Sequence, residues 1–346
     1  MPARNRRLRL TAAPLPGPLL VPSVSSKGFP ITDTGMTESG EALELVSPDI
    51  NEALLVSAYD LHHKMLPDAD RLLTPEYRNT VYASPRLLVV DSGGYELNPV
   101  GFESGETQRG PYQPKEFVRE DFEAIVDRLP HDRELLVVSY DSPELPRASY
   151  RDQRETAQQF FAARRHLRSD FLLKPQAGDR ILNIEELTPD ARNLSFFDVI
   201  GVTEKELGNS LLDRLVTIGR LRQLLDANGC AEIPIHVFGS LDPILTTLYF
   251  MAGAEIFDGL SWLRYAYIDG LSVHPDQLAA IRGNLDDRQE RRDMYRYMSN
   301  LKEIQSLKHR LARWANQPDR YEELGPRYEI LREIYETMLA ELAQKG

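Results

Sequence analysis

The sequence predicts an α/β fold: a (β/α)8 barrel of the TIM type carrying a C-terminal helical hairpin. Three observations predict it. Between about residues 50 and 275, short apolar runs rich in Val, Ile and Leu alternate with longer polar, helix-forming stretches. The runs are continuous rather than alternating, the pattern of parallel strands buried on both faces. Carboxylates, an amide and glycines recur directly after the runs, where barrel strands would converge on one functional face. Repeated β–α alternation points to a parallel sheet with crossover helices. An open doubly wound sheet is the competing topology.

Along the chain, residues 1–45 are rich in Pro, Ser, Gly and Thr and read as an irregular or weakly paired segment. Arg4, Arg6, Arg7 and Arg9 stand ahead of Pro14, Pro16 and Pro18 and read as a disordered basic tail without a secretory core. The barrel is expected over residues 46–284. Its strands are expected at Ala53–Ser57, Leu87–Val90, Leu135–Ser139, Phe171–Lys174, Phe196–Gly201, Ile233–Phe238 and Ala254–Phe257. These are seven, and the eighth strand that closes a barrel has no evident place. Helices are expected at Phe117–Leu129, Thr156–Arg168, Ser210–Asn228 and Pro243–Ala252.

Residues 285–346 form the helical extension. Leu301, Ile304, Leu307, Leu311 and Trp314 recur at steps of three and four. After Gln317 and Pro318 the pattern resumes with Leu324, Tyr328, Leu331, Tyr335, Met338 and Leu342, and Gly325 and Pro326 set where this second helix begins. An antiparallel hairpin of two amphipathic helices is the simplest account, with the apolar stripes serving packing. The stretch Arg288–Arg296 interleaves Arg with Asp and Glu, as ion pairs within a helix require.

Composition bounds what such a barrel can be. The 346 residues are 42% hydrophobic and 27% charged, which excludes wholesale disorder. Cys230 is the only cysteine, which excludes a disulfide scaffold and a Cys-rich zinc site. No apolar run reaches the ~18 residues of a membrane span, so the expected location is the cytoplasm. Forty-one Lys and Arg against 53 Asp and Glu give a net charge of −12, which argues against tight nonspecific nucleic-acid binding. Between Arg147 and Lys174 seven Lys and Arg stand against three Asp and Glu, a local basic excess. It reads as a solvated helix face or, alternatively, as a groove that tracks phosphates. His62 and His63 are adjacent and would diverge, so they do not read as metal ligands. His236 reads as a satisfied core histidine, and Cys230 as a passive thiol.

The chemistry is expected at the strand ends. Leu87–Val90 runs into Asp91-Ser92-Gly93-Gly94-Tyr95-Glu96, and Leu135–Ser139 runs through Tyr140 into Asp141. Phe171–Lys174 leads to Gln176, the next run ends at Gly201, and Ile256 and Phe257 lead into Asp258. An acid can cap a following helix, but three Asp at equivalent strand ends point to one shared site. Paired glycines let backbone approach a ligand closely, and Tyr95 offers a flat face for a base.

These motifs resemble the tRNA-guanine transglycosylase family. Asp91-Ser92-Gly93-Gly94-Tyr95-Glu96 is similar to its Asp-Ser-Gly-Gly-aromatic-Gln motif. In the same order, Ser139-Tyr140-Asp141 is similar to its Ser-Phe-Asp, Gln176-Ala177-Gly178 to its Gln-Gly-Gly, and Gly201 to Gly208 to a Gly-rich loop. His236 to Gly239, Asp242-Pro243 and Gly253 to Asp258 are similar to the segment that ends in its nucleophilic Phe-Asp. Ala53 to Tyr59, with Leu61 and His62, resembles its early strand and turn. The resemblance covers roughly residues 50–270. It departs in two ways: no cysteine follows Cys230 to build the family's zinc site, and no C-terminal β-rich RNA-binding domain is visible. Glu96 also stands where the family has Gln, adding a negative charge.

The resemblance implies a base exchange at C1′ without a cofactor, and the single cysteine with no His cluster predicts that no metal is held. Asp258 would be the nucleophile, forming a covalent ribosyl intermediate, and Asp91 would move protons on the departing and arriving bases. Asp141 and Gln176 would read the base edge, Gly201 would offer backbone to its carbonyl, Tyr95 would stack, and Ser92, Gly93 and Gly94 would complete the base site. The implied partners are tRNA or DNA and a guanine or 7-deazaguanine base, with a homodimer or an accessory subunit left open. The other readings are a regulatory subunit of a transglycosylase complex and an N-glycoside hydrolase in which water intercepts the intermediate.

Overall fold

Eight parallel strands close into a ring in the computed structural model, which describes residues 6, 8, 15, 17–98, 113–141, 147–283 and 288–345. They follow chain order: β1 (Leu19–Val24), β2 (Ala53–Ser57), β3 (Leu87–Asp91), β4 (Glu134–Val138), β5 (Arg168–Leu173), β6 (Val199–Thr203), β7 (Ile235–Phe238) and β8 (Ile256–Gly259). Each strand pairs in parallel with the next, and β8 returns to β1, where Val21 faces Asp258. The fold is therefore the expected (β/α)8 barrel with C-terminal helices, and the open sheet is excluded.

The missing eighth strand is β1, inside the segment that reads as irregular. Pro22 interrupts its apolar run, and a proline within a run argues against a strand. The strand is nevertheless buried on both faces. Leu19 and Val21 point into the barrel with Leu55, Val89, Leu136 and Val199, while Leu20 and Val24 face the helices. Leu8 and Leu15, joined by a bridge, add to the inner core. Arg6 is buried beside Glu255 and 3.3 Å from Asp226, so this part of the tail is anchored rather than disordered. Arg4, Arg7 and Arg9 lie outside the described residues.

Local sequence sets the crossover helices. Ser210 and Asp213 form a reciprocal capping box on the Leu211–Ala227 helix. Asp242 caps the Pro243–Ala252 helix, accepting from Ile244 N at 2.9 Å and Leu245 N at 3.0 Å, and Gly253 ends it at φ 118°. The helix expected at 156–168 instead spans Tyr150–Ala162. Ser149 caps it through Asp152 N at 3.2 Å, and Arg168 already belongs to β5.

The extension contains the Gln289–Asn316 helix, a short 3-10 turn and the Tyr328–Lys345 helix, and it packs on the barrel. Trp314 is fully buried, its ring 6.2 Å from Phe250 and 5.9 Å from Tyr335. Leu342 packs on Gly219, where an added Cβ would fall 2.6 Å from it. Asn300 ties the long helix to the loop after β8. It accepts from Tyr267 N and donates to Trp262 O and Tyr265 O, all at 2.7 Å. The Arg-rich stretch forms the expected helical ion pair, Arg296 to Asp293 at 3.0 Å. Among the described residues, no helix is long and apolar enough to cross a membrane.

Candidate active site

The C-terminal strand ends surround a pocket of about 590 Å³, and Asp91, Ser92, Gly94, Tyr95, Asp141 and Asp258 all line it. Asp258, on β8, points inward while Phe257 packs outward among the helices. Asp258 is buried, at 6% exposed. Ser23 Oγ on β1 donates to its Oδ2 at 2.6 Å, and Gly239 N after β7 donates to its Oδ1 at 3.2 Å. His236 Nε2 lies 3.2 Å from the same Oδ1.

Asp91 ends β3 and turns back on its own loop, accepting from Gly93 N at 3.2 Å. Burial, then Asp258 and Asp141, push it up to about 6, with the Gly93 and Ser92 N–H groups pulling it back. The two glycines have separate duties. Gly93 takes φ 91°, which favours glycine, whereas Gly94 makes room for Asp141, whose Oδ2 would lie 2.6 Å from a Cβ there. Asp141 N donates to Ser92 Oγ at 3.1 Å. Its carboxylate meets Lys174 Nζ at 3.2 Å, and that ammonium also meets Glu206 at 2.8 Å. Lys27 Nζ stands 4.3 Å over the Tyr95 ring, and Arg264 donates to the Tyr95 hydroxyl at 3.1 Å.

Three expected members, Gly93, Gln176 and Gly201, stand outside the pocket lining. Gln176 accepts from Tyr150 N at 3.0 Å and donates to Glu186, so its amide ties the start of the preceding helix to the helix that follows. Gly201 lies in the barrel interior, where a Cβ would fall 2.6 Å from both Asp170 Oδ1 and the Phe238 ring. Its smallness accommodates those side chains. Glu96 also departs from expectation. Burial, then Asp60 and Asp91, push it up to about 8, so at neutral pH it holds a proton rather than adding a negative charge. The basic excess at 147–174 is largely internal. Arg147, Arg154, Arg164, Arg168 and Lys174 each pair with a carboxylate, which favours the structural reading over a phosphate groove.

Sequence reading missed Ser23, Asp170 and Lys174 and took His236 for a passive core residue. The available signal was a charged side chain inside an otherwise apolar strand, as Asp170 is before Phe171. Cys230 is buried, and burial pushes its thiol up, as for an unreactive thiol. Among the described residues, no group of three or more His, Cys, Asp or Glu is placed to hold a metal ion.

A parallel barrel that gathers buried acids at its strand C-termini has the build of a barrel enzyme's active site. The chain is 23% identical over 250 residues to a tRNA-guanine(15) transglycosylase of Methanosarcina mazei, an alignment covering 68% of this chain and 48% of that protein. It is thus a distant relative of the tRNA-guanine transglycosylases and spans about half the length of the curated relative it matches. No family model matches the chain.

Proposed function

We propose that the chain is a base-exchanging transglycosylase, a pentosyltransferase that replaces guanine in a polynucleotide by a 7-deazaguanine. The observation that carries the reading is the pairing in one pocket of a donor-fixed carboxylate, Asp258, with one poised near neutrality, Asp91. Asp258 attacks C1′ of the sugar. The C1′–N9 bond breaks, its electron pair leaves with the base, and protonated Asp91 supplies the proton the base needs. The sugar stays bound to Asp258 as an ester-like acetal. The incoming base then gives its N9 proton to Asp91, N9 attacks C1′, and the C1′–O bond breaks to restore the Asp258 carboxylate. The strand is never cut, because both displacements occur at C1′.

Asp141 faces the polar edge of the base, with Ser92 and Gly94 shaping the wall beside it. Tyr95 offers its ring face. Gln176 reaches a base only by leaving Tyr150 and Glu186. The relative's name supports tRNA as acceptor. Labelled guanine offered with tRNA and with DNA in separate reactions tests the proposal. Incorporation into either supports exchange. Base release without incorporation would identify a hydrolase, and neither reaction would leave a regulatory subunit.

A further inference from the structure

The exchange chemistry leaves a charged group beneath the pocket unused. His236 on β7 and Asp170 on β5 are both fully buried. Asp170 Oδ2 lies 2.6 Å from His236 Nδ1, and His236 Nε2 lies 3.2 Å from Asp258 Oδ1. One imidazole therefore joins a carboxylate in the barrel floor to the carboxylate assigned the attack. Burying such groups is costly, and Val or Leu would fill the layer without that cost.

The neighbouring residues are shaped around this couple. Gly201 keeps clear the space that Asp170 Oδ1 occupies. Phe238 lies over the imidazole with ring centroids 3.8 Å apart, and it also lines the pocket, so it separates His236 from a bound base. The 3.2 Å Nε2 contact with Asp258 lacks aligned hydrogen-bond geometry, and it becomes an ion pair only when the imidazole is protonated, so its strength depends on charge. The charged groups facing His236 are Asp170 from β5 and Asp258 from β8, and Asp258 in turn raises the proton affinity of Asp91 from β3. Burial opposes an imidazolium here, but the two carboxylates outweigh it and push His236 up to about 9. Burial likewise pushes Asp170 up, and His236 pulls it back.

We propose that His236, held by Asp170, is a positioning residue: as an imidazolium it fixes the Asp258 carboxylate for attack on C1′ and stabilises it when the C1′–O bond breaks again. The role rests on Asp258 being the nucleophile. The His236 proton transfers in neither half-reaction, Asp91 remains the proton carrier, and the C1′–O electron pair returns to Asp258. A proton resident on Asp170 would instead leave a neutral imidazole with a purely structural duty.

NMR of the full chain labelled with 15N, without substrate, separates these states. His236→Gln identifies the His236 signals among the seven histidines, and sequential assignment does so where that variant does not fold. Both ring nitrogens of His236 should carry protons at pH 7, and Asp258→Asn should lower its titration midpoint by about one unit or more. A neutral His236 at pH 7 overturns the proposal. In guanine exchange, His236→Gln should lower kcat by about 10²-fold while the KM for the base changes less than about threefold. A loss confined to KM also overturns it. An imidazolium in a protein that exchanges no base with tRNA or DNA takes down the transglycosylase reading and, with it, the role of His236.

Discussion

The two ends of the barrel bury acids to opposite effect. At the N-terminal end, Glu255 is 1% exposed and pairs with Arg6, while Arg222 lies 3.5 Å from Asp226. Guanidinium groups answer the carboxylates there, and Leu8 and Leu15 fill the barrel interior beside them. At the C-terminal end, Asp91 accepts from Gly93 N and Glu96 from Ser25 Oγ, while Asp258 meets Ser23 Oγ, Gly239 N and the His236 ring. A buried acid met by arginine is a strut. One met by neutral donors keeps a proton affinity that chemistry can use.

Substitutions break this contrast in graded ways. Asp258→Asn is nearly isosteric, so the barrel should fold, but base exchange should fall by about 10⁴-fold or more. No covalent sugar adduct should appear by intact mass. Exchange at the wild-type rate would end the nucleophile assignment. Asp91→Asn should cost about 10²–10⁴-fold, the usual worth of a positioned acid–base group, yet still leave a trace of trapped adduct. At the opposite end, Arg6→Ala should leave exchange per folded molecule unchanged and lower stability by about 3–5 kcal/mol, the cost of orphaning a buried carboxylate. A denaturant melt in parallel with the exchange assay checks both halves of that statement.

The smallest effect sharpens the comparison through pH. Glu96 has a folded-state affinity near 8 against an ordinary 4.5, so the folded chain holds this proton more tightly. Its contribution to stability is full below about 4.5 and is lost as pH rises through about 8. Asp91 acts with the same sign between 3.8 and about 6. The melting temperature should therefore fall from pH 5 to pH 8, and Glu96→Gln should flatten that fall by at least the ~1.4 kcal/mol that one pH unit is worth. A variant with the wild-type slope would place the titration elsewhere.

What the sequence discloses follows the same division. β2 and the Pro243–Ala252 helix match their expected bounds, because an unbroken apolar run and an Asp-Pro start are local signals. β1 escapes, because its stability comes from two neighbouring strands rather than from its own Pro-interrupted pattern. Asp91, Asp141 and Asp258 are legible because a strand end is a position along the chain. The Asp170–His236 couple is not, because 66 residues separate its members and only the ring brings them together. Gln176 shows the converse: its motif is local, but the partners of its amide are set by Tyr150 and Glu186, in other helices.

The hydrogen bond from Ser23 to Asp258 spans 235 residues of sequence and crosses the seam where the last strand meets the first. During synthesis, the first strand waits while the whole ring is made, and only its final pairing gives Asp258 the hydroxyl that fixes it. A copy in which that seam has not closed lacks this donor to the Asp258 carboxylate. Under the proposed exchange, reactivity toward sugars would therefore switch on only with completion of the ring.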